Sequence, residues 1–457
     1  MTATALSPAI LNPLLTAYPH IRHFVVAYSG GMDSHALLHL LALQRAQWPE
    51  RPLAAVYVDH GLQAASSAWG EHCRQVCREL GVAFQVLQVD ARPMPGESPE
   101  AAARHARYRA LAQELGPNTA LLTAHHRDDQ AETLLLQLLR GAGPHGLAAM
   151  PAAARLGQGW LLRPLLEVDR ARILAYARAQ RLNWIEDTSN TDIGFDRNYL
   201  RHQVLPLLRE RWPAVNRALA CSAQLCAETA LWLDEEADAD LTQAATHRPD
   251  CLQIPALREL TEQRQRNVLR RWLRRLGLPS PGSRHLQHIL RDALAVPRDR
   301  KPCVHWFGSE VRRYRDRLYA MPPLAPHDAR QVILWQPDAT GQPPLPIPKL
   351  GRLRFQTTVG AGLRATALAG ATLTVRFRQG GERFRPMGRF HSQELKKLLQ
   401  EAGIPPWERD RLPLLYRNDV LLAVVGLGVA ADWAAAPDET GWQPVWESLS
   451  VAATPNA

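Results

Sequence analysis

The chain has no apolar run long enough to cross a bilayer. Its longest, from Val420 to Ala431, includes two glycines and falls well short of the ~20 residues a spanning helix needs. No basic residue precedes Arg22 and no continuous apolar core occupies that segment, so no secretion signal is read there. A cytoplasmic protein without a membrane partner is expected. Cysteine is sparse, and the six present, at positions 73, 77, 221, 226, 251 and 303, form no CxxC pair. That spacing argues against a zinc ribbon or a dithiol redox motif and favours buried thiols in a reducing compartment. A further absence is local: nothing basic follows the glycines at 30 and 31, where a GxxxxGK[ST] loop would carry its lysine.

What is present points to a globular, anion-binding chain. The 457 residues, 46% hydrophobic and 21% charged, suit several folded domains and argue against general disorder. A formal charge of +10 and a pI near 9.6 favour a polyanionic partner, nucleic acid before membrane.

The most informative stretch is HFVVAYSGGMDSHALLHLL, from His23 to Leu41. It reads as a buried strand over 24–27, a loop of small residues, and a helix opening at Ser34. The loop comprises Ser29, Gly30, Gly31, Met32, Asp33 and Ser34. Glycines let the backbone approach a ligand closely, and a helix N-terminus offers free N–H groups to an anion. Bare phosphate would repel Asp33, which suggests a bridging Mg²⁺. With no lysine to reach a terminal phosphate, the loop suits pyrophosphate. The plain alternative is a strand-to-helix turn with a serine cap.

Strand-like runs follow at 53–58, 83–89 and 119–123, separated by helical patterns over 67–80 and 99–115. This alternation predicts a parallel sheet with ligands beyond the strands' carboxyl ends, where Ser29, Asp59, His60 and His125 fall. The segment AHHRDDQAETLLLQLLRG, from Ala124 to Gly141, is read as a helix carrying His125, Asp129 and Glu132 on one face, with Asp128 one turn from Glu132. Acids in a first helical turn are also ordinary partners of the helix dipole. Further on, Asp187, Ser189, Asn190, Arg197, Asn198 and Arg201 crowd one segment, and the two arginines, four apart, can face one anion or simply line a solvated face.

Beyond that lies a helical region. Its acidic stretch over 228–240 reads as a solvated face, whereas 258–317 carries 16 Lys and Arg against 6 Asp and Glu. The latter's Trp272, His285, His288, Trp306 and Tyr314 suggest an RNA-facing mixture. Eight prolines within 322–348 suggest a stiff linker. The last segment mixes strands with one helix over 392–402 and carries ten basic residues between Arg376 and Arg417. The expected architecture is α/β: a parallel-sheet nucleotide-binding domain over 1–212, a helical arginine-rich domain over 213–321, the linker, and a small α+β domain over 349–457.

The loop resembles the PP-loop of ATP pyrophosphatases, and the ordered motif set is similar to the tRNA(Ile)-lysidine synthetase family. The pieces that carry the resemblance are SGGMDS at 29–34, VDHGL at 58–62, EAAARHARY at 100–108, HHRDDQAET at 125–133, RPLL at 163–166, the EDTSN to RNYLRH stretch at 186–202, and the FRQGGERFRP and HSQELKKLLQEAG runs near the end. One departure is Ser98, where the family often has Asn.

The resemblance implies ATP as cofactor and adenylation of the wobble cytidine in a CAU-anticodon tRNA(Ile), followed by attack of L-lysine. Set beside that reaction, the helix spacing and the loop chemistry suggest Asp33 at a Mg²⁺, Asp129 and Glu132 at the lysine amine or the metal, His125 at the adenylate or moving a proton, and Arg201, ahead of Arg197, at the phosphate charge. A homodimer is left open. The rivals are a tRNA thiolation enzyme, which needs reactive cysteines, and an RNA-binding protein with a degenerate loop.

Overall fold

The computed structural model describes residues 6–59, 61, 66–90, 92, 99–295, 302–337, 343–368 and 370–448. Two compact units emerge, Met1–Ala239 and Asp240–Ala453. Among the described residues, no helix is long and apolar enough to cross a membrane.

The first unit opens with α1 (Asn12–Thr16) and β1 (His23–Ala27). It continues through α2 (Met32–Gln44), β2 (Leu53–Asp59), α3 (Ser66–Glu79), β3 (Ala83–Gln88), α4 (Pro99–Gln113), β4 (Thr119–Leu122), α5 (Arg127–Leu139) and α6 (Pro144–Leu147). A hairpin of β5 (Ala153–Leu156) and β6 (Gly159–Leu162) follows. Then come the helices α7 (Arg170–Ala179), α8 (Asp196–Tyr199), α9 (Leu205–Arg211) and the 30-residue α10 (Val215–Ala244). The six strands lie in the order β3-β2-β1-β4-β6-β5. All neighbours are parallel except the β5–β6 edge pair, which the sequence reading did not anticipate.

Each face of the sheet has its own core, because side chains alternate along a strand. Phe24 and Val26 of β1 pack with Leu37, Leu38 and Leu41 of α2, and Val25 and Ala27 pack on the other face with Tyr108 and Leu111 of α4. Topology then fixes the site. The chain leaves β1 toward β2 and β3, then crosses to β4 on β1's other side, so the crevice at the carboxyl ends of β1 and β4 is the switch point of the sheet. Both the SGGMDS loop and the HHRDD segment open there.

The second unit is less purely helical than expected. Besides α11 (Ile254–Arg258), α12 (Glu262–Arg275) and α13 (Ser283–His288), it holds an antiparallel sheet of β7 (Cys251–Gln253), β8 (Cys303–Trp306), β9 (Ser309–Tyr314) and β10 (Arg317–Met321). Trp272, Trp306 and Tyr314, expected on an RNA-facing surface, are instead buried. The Trp272 indole donates to the Pro249 carbonyl and the Trp306 indole to that of Pro279. Their apolar area and their single donors are both satisfied inside.

The proline-rich stretch also differs from a free linker. It contributes β11 (Ile333–Trp335) and β12 (Leu345–Ile347). The first pairs with β15 (Leu373–Arg376), the second with β13 (Gly351–Val359), and Trp335 stacks on Phe355 with ring centroids 4.6 Å apart. Pro346 is tolerated in β12 because that strand lies at the edge of its sheet. The remaining elements are β14 (Leu363–Arg364), α14 (Ala365–Leu368), β16 (Arg383–Phe384), β17 (Gln393–Glu394), α15 (Leu395–Glu401), α16 (Pro406–Arg409), β18 (Leu414–Arg417), β19 (Val420–Val424), β20 (Gly428–Val429) and β21 (Thr440–Ser448).

Candidate functional site

The loop after β1 is stitched from within. Ser34 Oγ donates to the Gly31 carbonyl at 2.9 Å, accepts from the Ser29 amide at 3.3 Å, and lies 3.1 Å from Ser29 Oγ. The helix starts two residues earlier than expected, at Met32, with Gly31 as its cap. Gly30 has φ of +79°, and a Cβ there would sit 2.5 Å from Ile185 Cδ1 and 3.1 Å from Cys73 Sγ. Only glycine fits, both for backbone conformation and for space.

Across the crevice, the chain leaving β4 does something the helical reading missed. His125 is not on α5; it precedes the helix, whose cap is His126. The i, i+4, i+7 argument therefore fails for His125, although Asp129 and Glu132 do share the helix. His126 forms a reciprocal cap, its amide donating to Asp129 Oδ2 at 2.9 Å and its ring Nδ1 accepting from the Asp129 amide at 3.4 Å. Its Nε2 also lies 3.7 Å from Asp33 Oδ2 and 3.4 Å from Asp129 Oδ2. Burial works to lower the His126 pKa, but the carboxylates of Asp33, Asp129 and Asp128 outweigh it and raise it.

His125 behaves oppositely. Burial, reinforced by Arg163, Arg197 and Arg104 and only partly offset by Asp129, pulls its pKa down to about 3. Its Nδ1 lies 2.8 Å from Thr123 Oγ1. It is a neutral imidazole at physiological pH and can accept a hydrogen bond there, while burial makes it a poor proton acceptor.

Asp129 and Glu132 meet two guanidinium groups. Arg197 Nε donates to Glu132 Oε2 at 2.7 Å and its Nη2 to Asp129 Oδ1 at 3.1 Å. Arg201 donates to both Glu132 oxygens, at 2.7 and 2.8 Å, and to Asp129 Oδ1 at 3.3 Å. Burial alone would raise the Asp129 pKa, but His126, Arg197 and His125 lower it. Arg201 sits in a π-helical turn, Leu200–Val204, which runs into α9. Pro206 explains the widening, since it lacks the N–H that a regular helix would give to the His202 carbonyl.

Ser29, Gly31, Asp33, Ser34, His125 and Asp129 line one cavity of about 400 Å³. Asp187 and Asn190 line it too, but Glu132, Arg197 and Arg201 are not on its wall, and Asn198 instead donates to the Asp192 carbonyl at 2.9 Å. Asp59 accepts from the Gly61 amide at 2.9 Å. His60, Ser98 and the Ser189 side chain lie outside the described residues. The cavity's other wall comes from residues to which no role was given: Trp69, Arg107, Tyr108 and Ile185. Arg104 and Arg107 lie 4.9 and 5.4 Å from the Tyr108 ring centroid. The repeated basic residues in EAAARHARY were the available signal for them.

Asp33 tests the metal expectation. Its Oδ1 is buried and has no hydrogen-bond partner among the described residues, while its Oδ2 faces His126 and Arg170. An orphaned carboxylate oxygen on a glycine loop at a helix N-terminus fits a divalent cation. Asp129 fits less well, since both of its oxygens already accept hydrogen bonds. Cysteine chemistry fits poorly: Cys73, whose Sγ lies beside Gly30, is buried with its thiol pushed up to about 12.

Three families of domain match successive parts of the chain: the PP-loop domain over residues 8–208, the TilS substrate binding domain over 252–319, and the TilS substrate C-terminal domain over 373–446. Relatives match along nearly the whole length. The chain is 44% identical to the tRNA(Ile)-lysidine synthase of Coxiella burnetii over 95% of its own length and 96% of the relative's. The corresponding figures are 44%, 92% and 96% for the same enzyme of Methylococcus capsulatus, and 41%, 98% and 100% for that of Pectobacterium atrosepticum. With identity at this level from end to end, the chain belongs to the tRNA(Ile)-lysidine synthase family.

Proposed function

We propose that this protein is an ATP-dependent ligase that joins L-lysine to C2 of the wobble cytidine in the CAU anticodon of tRNA(Ile). In the first step the C2 oxygen attacks the α-phosphorus of ATP, forming an adenylated cytidine and releasing pyrophosphate. In the second, the ε-amino group of lysine attacks C2 and AMP departs with that oxygen. The observation that carries this reading is that the loop after β1 and the His125 and Asp129 side chains after β4 line a single cavity.

Each step has residues suited to it. The Ser29–Ser34 loop, ending on a helix N-terminus, offers amides and hydroxyls to the departing pyrophosphate. Asp33 is the residue that would hold a Mg²⁺ through its orphaned Oδ1, and the ion would offset phosphate charge. A lysine amine is mostly ammonium at neutral pH, given a reference pKa of ~10.4, and must shed a proton before attack. Asp129 supplies a carboxylate on the cavity wall to draw the ammonium in, and His125, held neutral by burial, can accept a hydrogen bond from the amine but is too weak a base to keep its proton. Arg197 and Arg201 hold Asp129 and Glu132 in place from behind the cavity wall.

The test is pyrophosphate release from ATP with unmodified tRNA(Ile), run with and without radiolabelled L-lysine. Label entering the tRNA in step with pyrophosphate is the expected result. Pyrophosphate without label would keep the adenylation and overturn the nucleophile.

A further inference from the structure

The two neighbouring acids at the start of α5 point to different places. Asp129 lines the cavity and Asp128 does not. Besides facing His126 Nδ1 at 3.9 Å, Asp128 is engaged away from the cavity: its Oδ2 accepts from the Arg170 amide at 3.0 Å, and its Oδ1 accepts from Arg209 Nη2 at 2.9 Å and Asn216 Nδ2 at 2.7 Å. Those donors sit at the first residue of α7, within α9 and in the first turn of α10.

The contact with α7 is half of a crossed brace. Asp169, the cap residue of α7, makes no side-chain bond to its own helix and instead takes Arg127 Nη1 at 2.6 Å, while the Arg127 amide donates to the Val168 carbonyl at 3.0 Å. Asp128 supplies the α7 amide with the acceptor its own cap does not. Consecutive residues of α5 thus tie its first turn to the start of α7, and Asp128 adds α9 and α10.

We infer that Asp128 is a positioning residue: it holds the first turn of α5, which carries His126 and Asp129, against α7, α9 and α10. It touches no reacting atom. This rests on the lysidine-forming reading only for the identity of the reaction it supports. A rotation of that turn by a fraction of an ångström would change the distance between Asp129 on α5 and Asp33 on α2, and misplacement on that scale is enough to slow a reaction.

The experiment compares Asp128→Asn with the double variant Arg209→Ala/Asn216→Ala and with all three changes combined, in the full chain. Two readouts are used: kcat and KM for labelled-lysine incorporation, and hydrogen exchange of the α5 first-turn amides, residues 127–131. Because all three groups form one node, the Arg209→Ala/Asn216→Ala variant should lower kcat by about tenfold with KM for ATP nearly unchanged, and adding Asp128→Asn should cost no more than about twofold further. The first-turn amides should exchange about tenfold faster in every variant. If Asp128→Asn alone lowers kcat while Arg209→Ala/Asn216→Ala keeps wild-type kcat and exchange, the contacts to α9 and α10 do not position the turn and the inference is overturned. If the wild-type enzyme incorporates no lysine, the proposed reaction fails, and the exchange arm still decides the role of Asp128.

Discussion

The loop after β1 and the acidic rim after β4 face one cavity but are held in shape by different means. The loop is local: Ser29, Gly31 and Ser34 bond to one another within six residues, and Gly30 supplies the one backbone conformation the turn requires. The rim is assembled from afar. Asp129 and Glu132 are fixed by Arg197 and Arg201, some 65 to 72 positions later, and Asp128 by Arg209 and Asn216, 81 and 88 positions later. A local site carries its geometry in a motif, whereas an assembled one carries it in contacts. Damage to the first should appear in chemistry, and damage to the second in folding as well.

The largest expected effect belongs to the loop. Asp33→Ala should lower pyrophosphate release by about a thousandfold with little change in melting temperature, because the carboxylate that would hold a Mg²⁺ against the reacting phosphates is lost. A loss under tenfold would remove Asp33 from the chemistry. Next comes the rim. Glu132 is 1% exposed and balances two guanidiniums, so Glu132→Gln should destabilise the unit by roughly 3 kcal/mol in denaturant titrations. An unchanged midpoint would show that Asp129 alone suffices as a counter-charge. Gly30→Ala sharpens the contrast from the loop side. It forces a side chain into positive φ and against Ile185, which should weaken ATP binding about tenfold and cost about 1–2 kcal/mol, read by nucleotide titration and by melting.

The smallest effect is on pH. His125 has its folded-state pKa at about 3, below its unfolded value, so the unfolded chain binds the proton first. Its contribution is fully present above the unfolded pKa and is lost as pH falls through it toward about 3. His126 has the opposite sign, its raised pKa adding stability at low pH that is lost as pH rises through the folded value. Ring resonances should show this directly: His125 flat from pH 8 to pH 5, a window that lies above about 3, and His126 titrating above the ordinary histidine range. A His125 midpoint near the ordinary histidine value of 6.5 would contradict the burial argument.

These differences also explain what the sequence made legible. Period-two and helical patterning placed β1, β2, β3 and β4 within a residue or two, and the switch point followed from their alternation with helices. The SGGMDS loop was readable because its parts are contiguous. His126 was not: nothing in HHRDD tells which histidine caps the helix and which precedes it, and that depends on where the backbone turns from β4 into α5. The arginine pairing was half visible, in that Arg197 and Arg201 share a spacing, but their partners proved to be the acids of α5. The Trp272, Trp306 and Tyr314 side chains looked like surface among so many arginines and turned out to be core, because nearby carbonyls satisfy the two indoles. Among the described residues, the exposed aromatics of the second unit include Phe307 at 91% and Phe390 at 90%, which no periodicity singled out.

On the proposed function, the cavity joins ATP-driven activation to lysine attack at one base. The most direct measurement follows labelled lysine into two tRNA(Ile) transcripts that differ only at the wobble position, cytidine in one and uridine in the other, with ATP and Mg²⁺ present. Incorporation confined to the cytidine transcript, accompanied by one pyrophosphate and one AMP per lysine, is the predicted result. Equal labelling of both transcripts, or pyrophosphate release with no lysine incorporated, would contradict it.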